Sequence, residues 1–182
     1  MASKAKIVLG IDPGSQVMGF GAVKSDGHEV KLISYGTISP PSSLDFNERI
    51  GIIAEEIEAL IERLRPDVTV VEQVFLGKNA DSAFKLGHAR GVVIAAAIRA
   101  GSRVVEYATR AVKKGITGNG GASKEQVQLV LFATLGVKDR AKADASDALA
   151  LAFYHARNLE VFENIEKSRK KSAAKIRTEA ET

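Results

Sequence analysis

The chain has 182 residues, of which 45% are apolar, 26% charged and 5% aromatic, which is the composition of one ordinary globular domain. It contains no cysteine, so disulfides, thiolate nucleophiles and iron–sulfur clusters are excluded, and its three histidines lack the spacing of a zinc site. No apolar run approaches the roughly 20 residues of a membrane span, and the amino terminus does not resemble a signal peptide. We therefore expect a soluble, cytoplasmic protein.

Positive charge is concentrated in one part of the chain, although the formal net charge is only +4. Residues 99–124, called here the basic stretch, hold six Lys and Arg against the single acid Glu106, a net charge of +5. Residues 161–182 hold six basic and four acidic residues, so the remainder of the chain is net negative. Such a distribution is expected where a polyanion is bound, and a solvated helix face explains it equally well.

The first third of the chain predicts a meander and a helix. Short β segments are expected at Lys6–Asp12, Val17–Lys24 and Val30–Thr37. The first is an apolar run that stops at Asp-Pro-Gly, and a turn joins the other two, so the three strands should be antiparallel. Apolar residues then recur at helical spacing from Ile50 to Leu64, which predicts one amphipathic helix that ends before Pro66.

The remainder of the chain alternates strands with helices. Val68–Glu72 is continuous and β-branched, as in a buried parallel strand, and Arg103–Tyr107 predicts another strand. Helices are expected at about 81–100, 110–115, 124–135 and 143–157, the third of them opened by a capping box at Ser123. Four glycines between Gly115 and Gly121 predict a mobile loop.

These elements predict an α/β fold with a mixed sheet, three antiparallel strands followed by parallel strands, and helices on both faces. One domain is expected over residues 1–164. The polar, charged residues 165–182 predict a disordered or loosely helical tail.

Four carboxylates fall where an α/β sheet usually has its functional crevice. Asp12 and Glu72 each end a predicted buried strand, and the crevice lies beyond the carboxyl ends of such strands. Asp144 and Asp147 are three residues apart and share one helix face. Singly, each is explained as a turn residue, a solvated strand end or a first-turn helix acid. If they converge, they favour Mg²⁺ or Mn²⁺, and a pair of such ions suits phosphodiester hydrolysis.

Three motifs are more specific than the positions of the acids. They are Gly10-Ile11-Asp12-Pro13-Gly14-Ser15, Val71-Glu72-Gln73-Val74-Phe75 with its continuation Lys78-Asn79-Ala80-Asp81, and Ala143-Asp144-Ala145-Ser146-Asp147-Ala148. As an ordered set they closely resemble the RuvC family of Holliday-junction resolvases over about residues 6–158. The resemblance implies a ribonuclease-H-like fold, a homodimer and metal-dependent, symmetric nicking of four-way DNA junctions in recombination and repair. It also implies the RuvA–RuvB branch-migration complex as a partner.

The resemblance also implies roles for individual residues. Matched position by position, the catalytic acids that hold two Mg²⁺ ions, or Mn²⁺ in their place, are Asp12, Glu72, Asp144 and Asp147. The predicted DNA-binding residues are Phe75, Lys78, Arg110, Lys113, Lys114 and Lys124. Among these, Phe75, Lys113 and Lys124 match family positions, and both lysines lie inside the basic stretch. The structural alternatives are a buried core position for Phe75 and a helix-end role for Lys113 and Lys114.

Two other classes of function share part of the pattern. The opening Gly-Ile-Asp-Pro-Gly-Ser also resembles the first phosphate loop of sugar-kinase and actin-like ATPases, but those enzymes enclose a nucleotide between two such domains. A non-catalytic scaffold that binds DNA junctions is the second alternative. The four acids argue against it, because a protein that only binds a polyanion gains nothing from clustered carboxylates.

Overall fold

The computed structural model describes residues 5–73, 80–138 and 145–162, together with positions 164 and 168. Five strands and five helices lie within these ranges. The strands are β1 (Lys6–Asp12), β2 (Met18–Ser25), β3 (Val30–Ile38), β4 (Val68–Glu72) and β5 (Arg103–Tyr107). The helices are α1 (Phe46–Leu64), α2 (Ala80–Arg99), α3 (Thr109–Thr117), α4 (Lys124–Leu135) and α5 (Ser146–Arg157).

The strands form one mixed sheet in the order β3-β2-β1-β4-β5. Strands β1, β2 and β3 pair antiparallel, whereas β4 and β5 continue the sheet parallel to β1. Because β1, β4 and β5 run in the same direction, their carboxyl ends meet at one edge of the sheet, which we call the carboxyl edge. Asp12 and Glu72 are the last residues of β1 and β4, so the topology places both acids at this edge. The predicted sheet is confirmed.

Helices cover both faces of the sheet, as predicted. Helices α1 and α2 pack on one face against an apolar layer that includes Leu9 and Ile11 of β1. Helices α3, α4 and α5 pack on the other face, against a layer that includes Val8 of the same strand. Val8 therefore faces one apolar layer, and Leu9 and Ile11 face the other, because successive side chains of a strand point to opposite faces of the sheet.

Helix α5 lies directly against the backbone of β1 and β2. A Cβ atom at Gly10 would stand 2.0 Å from the carbonyl oxygen of Ala148, and one at Gly21 would stand 2.4 Å from the Cα of Leu149. No side chain fits in these gaps, so the two glycines allow the helix to approach the sheet. This approach also places the first turn of α5, which contains Asp147, at the carboxyl edge.

The boundaries of two helices are set by local side-chain caps. Asp45 forms a capping box with Glu48 at the start of α1, where the apolar spacing had predicted a helix only from Ile50. Ser123 and Gln126 form the predicted capping box of α4, with a distance of 3.2 Å from the Gln126 amide to the Ser123 hydroxyl.

The predicted loop at 115–121 is wrong at its start, because α3 continues to Thr117. A Cβ atom at Gly115 would stand 2.2 Å from the ring of Tyr154 on α5, so this glycine serves close packing between helices. Gly118 ends the helix in the left-handed conformation, with φ of 79°. The Asn119 side chain then accepts a hydrogen bond from the Gly121 amide at 2.9 Å.

Some predictions fall outside the described residues. The predicted start of the last helix at about residue 143 is one of them, and α5 is described from Ser146. The tail at 165–182 is another, apart from Ser168, which is helical. In the part of the chain that the structure does describe, no helix is both long and apolar enough to cross a membrane.

His155 of α5 is buried, and this makes folding stability depend on pH. The residue is 1% exposed, and its Nδ1 lies 2.8 Å from the hydroxyl of Tyr107. Burial lowers the pKa of His155 from 6.5 to about 4, and the positive charges of Arg103 and Lys6 add to this effect. The unfolded chain therefore binds more protons between these pH values, so stability is complete above pH 6.5 and falls as the pH drops.

We expect the free energy of unfolding to decrease by about 2 kcal/mol between pH 7 and pH 5 through His155 alone. Urea unfolding of wild type and His155→Gln at the two pH values measures this contribution, because all other groups titrate in both proteins. On going from pH 7 to pH 5, the free energy of unfolding of wild type should change by about 2 kcal/mol in the unfavourable direction relative to that of His155→Gln. His28→Gln, which replaces an exposed histidine, should behave as wild type. An equal change in wild type and His155→Gln would assign the pH dependence to other groups.

Candidate active site

Three of the four predicted acids come together at the carboxyl edge. Asp12 ends β1, Glu72 ends β4, and Asp147 lies in the first turn of α5. The pKa of Asp12 is raised from 3.8 to about 7, first by burial and then by the negative charges of Glu72 and Asp147. A hydrogen bond between the Asp12 and Glu72 side chains raises it further, whereas Lys124 lowers it. These acids therefore lie within each other's electrostatic field.

The fourth predicted acid, Asp144, lies outside the described residues, as do the predicted DNA contacts Phe75 and Lys78. Their assignments remain predictions.

Two contacts with α4 fix the position of Asp147: an ion pair with its side chain and a hydrogen bond to the neighbouring Ser146. The Nζ of Lys124 lies 2.9 Å from Oδ2 of Asp147, and both side chains are nearly half exposed. Lys124 is the first residue of α4, so the ion pair joins the starts of α4 and α5. A second link lies beside it, where the side-chain amide of Gln128 donates to the hydroxyl of the buried Ser146 at 2.8 Å.

Glu72 receives a hydrogen bond from the other side of the site. The hydroxyl of Thr109, the first residue of α3, donates to Oε1 of Glu72 at 2.5 Å. Beside this bond is a small pocket whose polar lining includes Glu72, Thr109, Lys113 and Asp147. The acids and the start of α3 therefore share one surface.

The four described basic residues of the predicted DNA-binding set differ in their positions. Lys113 lines the pocket and donates from Nζ to the carbonyl oxygen of Ala122 at 2.8 Å, while Lys124 pairs with Asp147. Arg110 and Lys114 are exposed on α3. The structure thus brings Lys113 and Lys124 to the acids, and it places Arg110 and Lys114 on the adjoining surface.

Three residues near the acids were not predicted from the sequence, namely Thr109, Gln128 and Ser146. Strands β4 and β5 align Glu72 with Tyr107. Thr109 lies two residues after Tyr107 and therefore close to Glu72. Knowledge of this register would have indicated that Thr109 lies near Glu72. The register between two strands that are distant in sequence cannot be determined from a single sequence.

The donor set of this site fits a hard divalent cation. Carboxylate oxygens are the ligands that Mg²⁺ and Mn²⁺ prefer. Burial and then repulsion from Glu72 and Asp147 raise the pKa of Asp12, and a bound cation relieves this repulsion. Across residues 5–73, 80–138 and 145–162, no three acidic or histidine side chains are already arranged as a metal-ligand group. The described carboxylates lie near one another but are not arranged around a common metal position, and Asp147 is paired with Lys124.

Comparison with known proteins identifies this arrangement. The family model for crossover junction endodeoxyribonuclease RuvC matches residues 8–155. Crossover junction endodeoxyribonuclease RuvC of Bdellovibrio bacteriovorus is 49% identical over 150 residues, which cover 82% of this chain and 89% of that protein. The Pelobacter propionicus protein of the same name is 47% identical over 148 residues, covering 81% of this chain and 84% of the relative.

The chain belongs to the RuvC family. Its structure is similar to that of Thermus thermophilus RuvC in complex with Holliday junction substrate, with a TM-score of 0.76 and 30% identity, covering 86% of this chain and 96% of the other. The yeast mitochondrial resolvase Ydc2, with a TM-score of 0.62 and 16% identity, shares the fold. The predicted ribonuclease-H-like fold and family are confirmed, and they favour the resolvase prediction over the ATPase alternative.

Proposed function

We propose that this RuvC-family endonuclease resolves four-way DNA junctions by Mg²⁺-dependent, paired nicking, with Asp12, Glu72, Asp144 and Asp147 as the metal-binding acids. The observation that carries the proposal is the convergence of Asp12, Glu72 and Asp147, from three distant parts of the chain, at the carboxyl edge of the sheet. Burial beside the other two carboxylates raises the pKa of Asp12, as expected for such a cluster. Such a cluster is unfavourable for folding and for binding DNA. A bound cation would offset the repulsion between these carboxylates, which explains why the cluster is present at this site.

The acids have distinct tasks in this proposal. Asp12 and Glu72, fixed at the ends of buried strands, form the rigid part of the donor set. Asp147 stands opposite on α5 and is paired with Lys124, which would be released to a DNA phosphate when a cation neutralises the acid. When bound, two Mg²⁺ ions would supply stabilisation of the attacking and leaving oxygens at phosphorus. Mn²⁺ is the expected substitute, since it prefers the same oxygen ligands.

Lys113 and Lys124 are the proposed phosphate contacts closest to the acids. Removing one phosphate contact lowers the slope of log affinity against log salt by about 0.9, so Lys113→Ala with Lys124→Ala should flatten the slope by roughly 1.8. Junction affinity measured by fluorescence anisotropy across a salt series tests this. Lys31→Ala with Lys24→Ala removes the same charge from the β2–β3 hairpin and should leave the slope as in wild type. An unchanged slope in the first variant would place the DNA elsewhere.

We also propose a homodimer through the outer face of α2. This face consists of exposed residues without a charged side chain: Phe84, Gly87, His88, Gly91, Ala95 and Ile98. Phe84 is 68% exposed and Ile98 61%. Within the described structure nothing lies within 4 Å of a Cβ built at Gly87 or Gly91, so a second helix could approach the backbone there. Two-fold pairing of one such face with its copy is the commonest form of oligomer.

The test of this function is incubation of the protein with a mobile four-way junction and Mg²⁺. Symmetric nicks in two opposite strands, absent with EDTA and absent on a linear duplex of the same sequence, are expected. Nicks that arrive in pairs also require two active sites on one junction, as the dimer supplies. Equal cutting of the linear duplex, or binding without nicks at any Mg²⁺ concentration, would contradict the proposal and favour the scaffold. The RuvA–RuvB complex stays a predicted partner.

A further inference from the structure

The hydroxyl of Thr109 serves Glu72 and does not cap its own helix. Threonine near a helix start commonly accepts a hydrogen bond from a backbone amide of the first turn. Helix α3 instead begins after Ala108, which has no side-chain cap. The Thr109 hydroxyl donates to Oε1 of Glu72 at 2.5 Å. The hydroxyl at the first position of α3 is thus directed at an acid of the site.

The two partners of this bond are held by the same pair of strands. Glu72 and Tyr107 are aligned in the parallel register of β4 and β5. The next backbone hydrogen bond runs from the amide of Gln73 to the carbonyl oxygen of Tyr107 at 2.9 Å. Thr109 follows only two residues later, so its position relative to Glu72 is set by the sheet. A donor fixed in this way restricts the orientation of the carboxylate that receives its hydrogen bond.

A single hydroxyl donor suits a carboxylate that must also bind a cation. The end of a glutamate side chain rotates in a broad energy well, so nothing in the residue itself orients its oxygens. A hydroxyl has one hydrogen and occupies one acceptor site, whereas a carboxylate has about four. The hydrogen bond with the Asp12 side chain uses one more site, and the others stay available. Of the nearby lysines, Lys113 lines the pocket and donates to the carbonyl oxygen of Ala122, and Lys124 pairs with Asp147.

We infer that Thr109 is a positioning residue that orients the Glu72 carboxylate for metal binding, which no part of the family assignment requires. This inference rests on the proposed function, because it takes Glu72 as a metal ligand. Hydrogen-bond partners of metal ligands typically change metal affinity or activity 10- to 100-fold when removed, roughly the range expected here. Because Thr109 is exposed, we expect the lower end of that range.

The test compares Thr109→Val, which keeps the shape and removes the donor, with Thr109→Ser, which keeps the donor. Thr134→Val is the matched control, since that exposed hydroxyl bonds only the Val130 carbonyl oxygen of its own helix. Mn²⁺ binding to the DNA-free protein, followed by electron paramagnetic resonance, should be about 10-fold weaker in Thr109→Val and restored in Thr109→Ser. At subsaturating Mn²⁺, kcat for junction nicking should fall with unchanged KM for the junction.

Asp12→Asn separates this inference from the function on which it rests. If Asp12→Asn loses Mn²⁺ binding and Thr109→Val binds Mn²⁺ as wild type does, the positioning role is overturned and the metal site stands. If Asp12→Asn also binds Mn²⁺ as wild type does, both are overturned. A loss in Thr109→Val that Thr109→Ser does not repair, with both variants folded by urea titration, would assign Thr109 to helix packing and overturn the inference.

Discussion

Asp12→Asn should abolish junction nicking while the protein still folds and still binds the junction. The substitution is nearly isosteric, but it removes a charged oxygen ligand that a hard cation needs. Removing a hydrogen-bond partner of a metal ligand lowers activity by up to about 100-fold. Because Asp12→Asn removes a direct ligand, we expect the nicking rate to fall by at least about that factor. Junction affinity should be unchanged or tighter, because a negative charge leaves a surface that faces a polyanion. Single-turnover nicking and anisotropy measure the two effects.

The same variant separates a metal ligand from a structural acid. Burial and two neighbouring carboxylates raise the pKa of Asp12, so a neutral amide should leave the melting temperature unchanged or higher. The matched control is Asp26→Asn, in the β2–β3 turn at the opposite edge of the sheet, where the new amide oxygen can still accept from His28 and Glu29. Nicking by Asp12→Asn at the wild-type rate in saturating Mg²⁺ would remove Asp12 from the metal site.

Gly10→Ala should destabilise the whole domain. The added methyl group would lie 2.0 Å from the carbonyl oxygen of Ala148 and 2.8 Å from the amide nitrogen of Ala152, both in the backbone of α5. Backbone atoms cannot rotate away, so the helix must move off the sheet. We expect a decrease in the free energy of unfolding of about 3 kcal/mol, the upper part of the range for overpacked cores, and a melting temperature lower by roughly 6 to 12 °C.

The control for Gly10→Ala is the same substitution at Gly51. That residue lies inside α1, and nothing lies within 4 Å of a Cβ built there in the described structure. Alanine in a helix interior is favoured over glycine by about 0.5–1 kcal/mol, so Gly51→Ala should raise the melting temperature slightly. Because α5 also carries Asp147, folded Gly10→Ala should nick more slowly than wild type. Equal melting temperatures for the two variants would show that α5 does not lie against β1 as described.

The predicted and observed elements agree best where the determining contacts are local. The capping box of Ser123 and Gln126 joins residues three apart, and the bounds of β1 and β4 follow from short apolar runs that end in Asp12 and Glu72. Such signals lie within a few residues of sequence, so they are visible before folding. The same locality explains the error at Gly115, where flexibility was inferred from composition although the residue packs against Tyr154, 39 positions away in sequence.

The α/β class, the strand-end positions of two acids, the basic stretch and, through the ordered motifs, the family could all be inferred from the sequence alone. Tertiary packing was needed to show that Asp147 reaches Asp12, that Lys124 neutralises Asp147, and that Thr109 donates to Glu72. Each of these contacts joins separate elements, so it depends on how β4 and β5 align and on how closely α5 can approach β1 and β2. The strand register and the distance between a helix and the sheet both depend on packing between segments that are distant in sequence. The sequence contains the glycines that allow α5 to approach the sheet, but it does not show which atoms those glycines face.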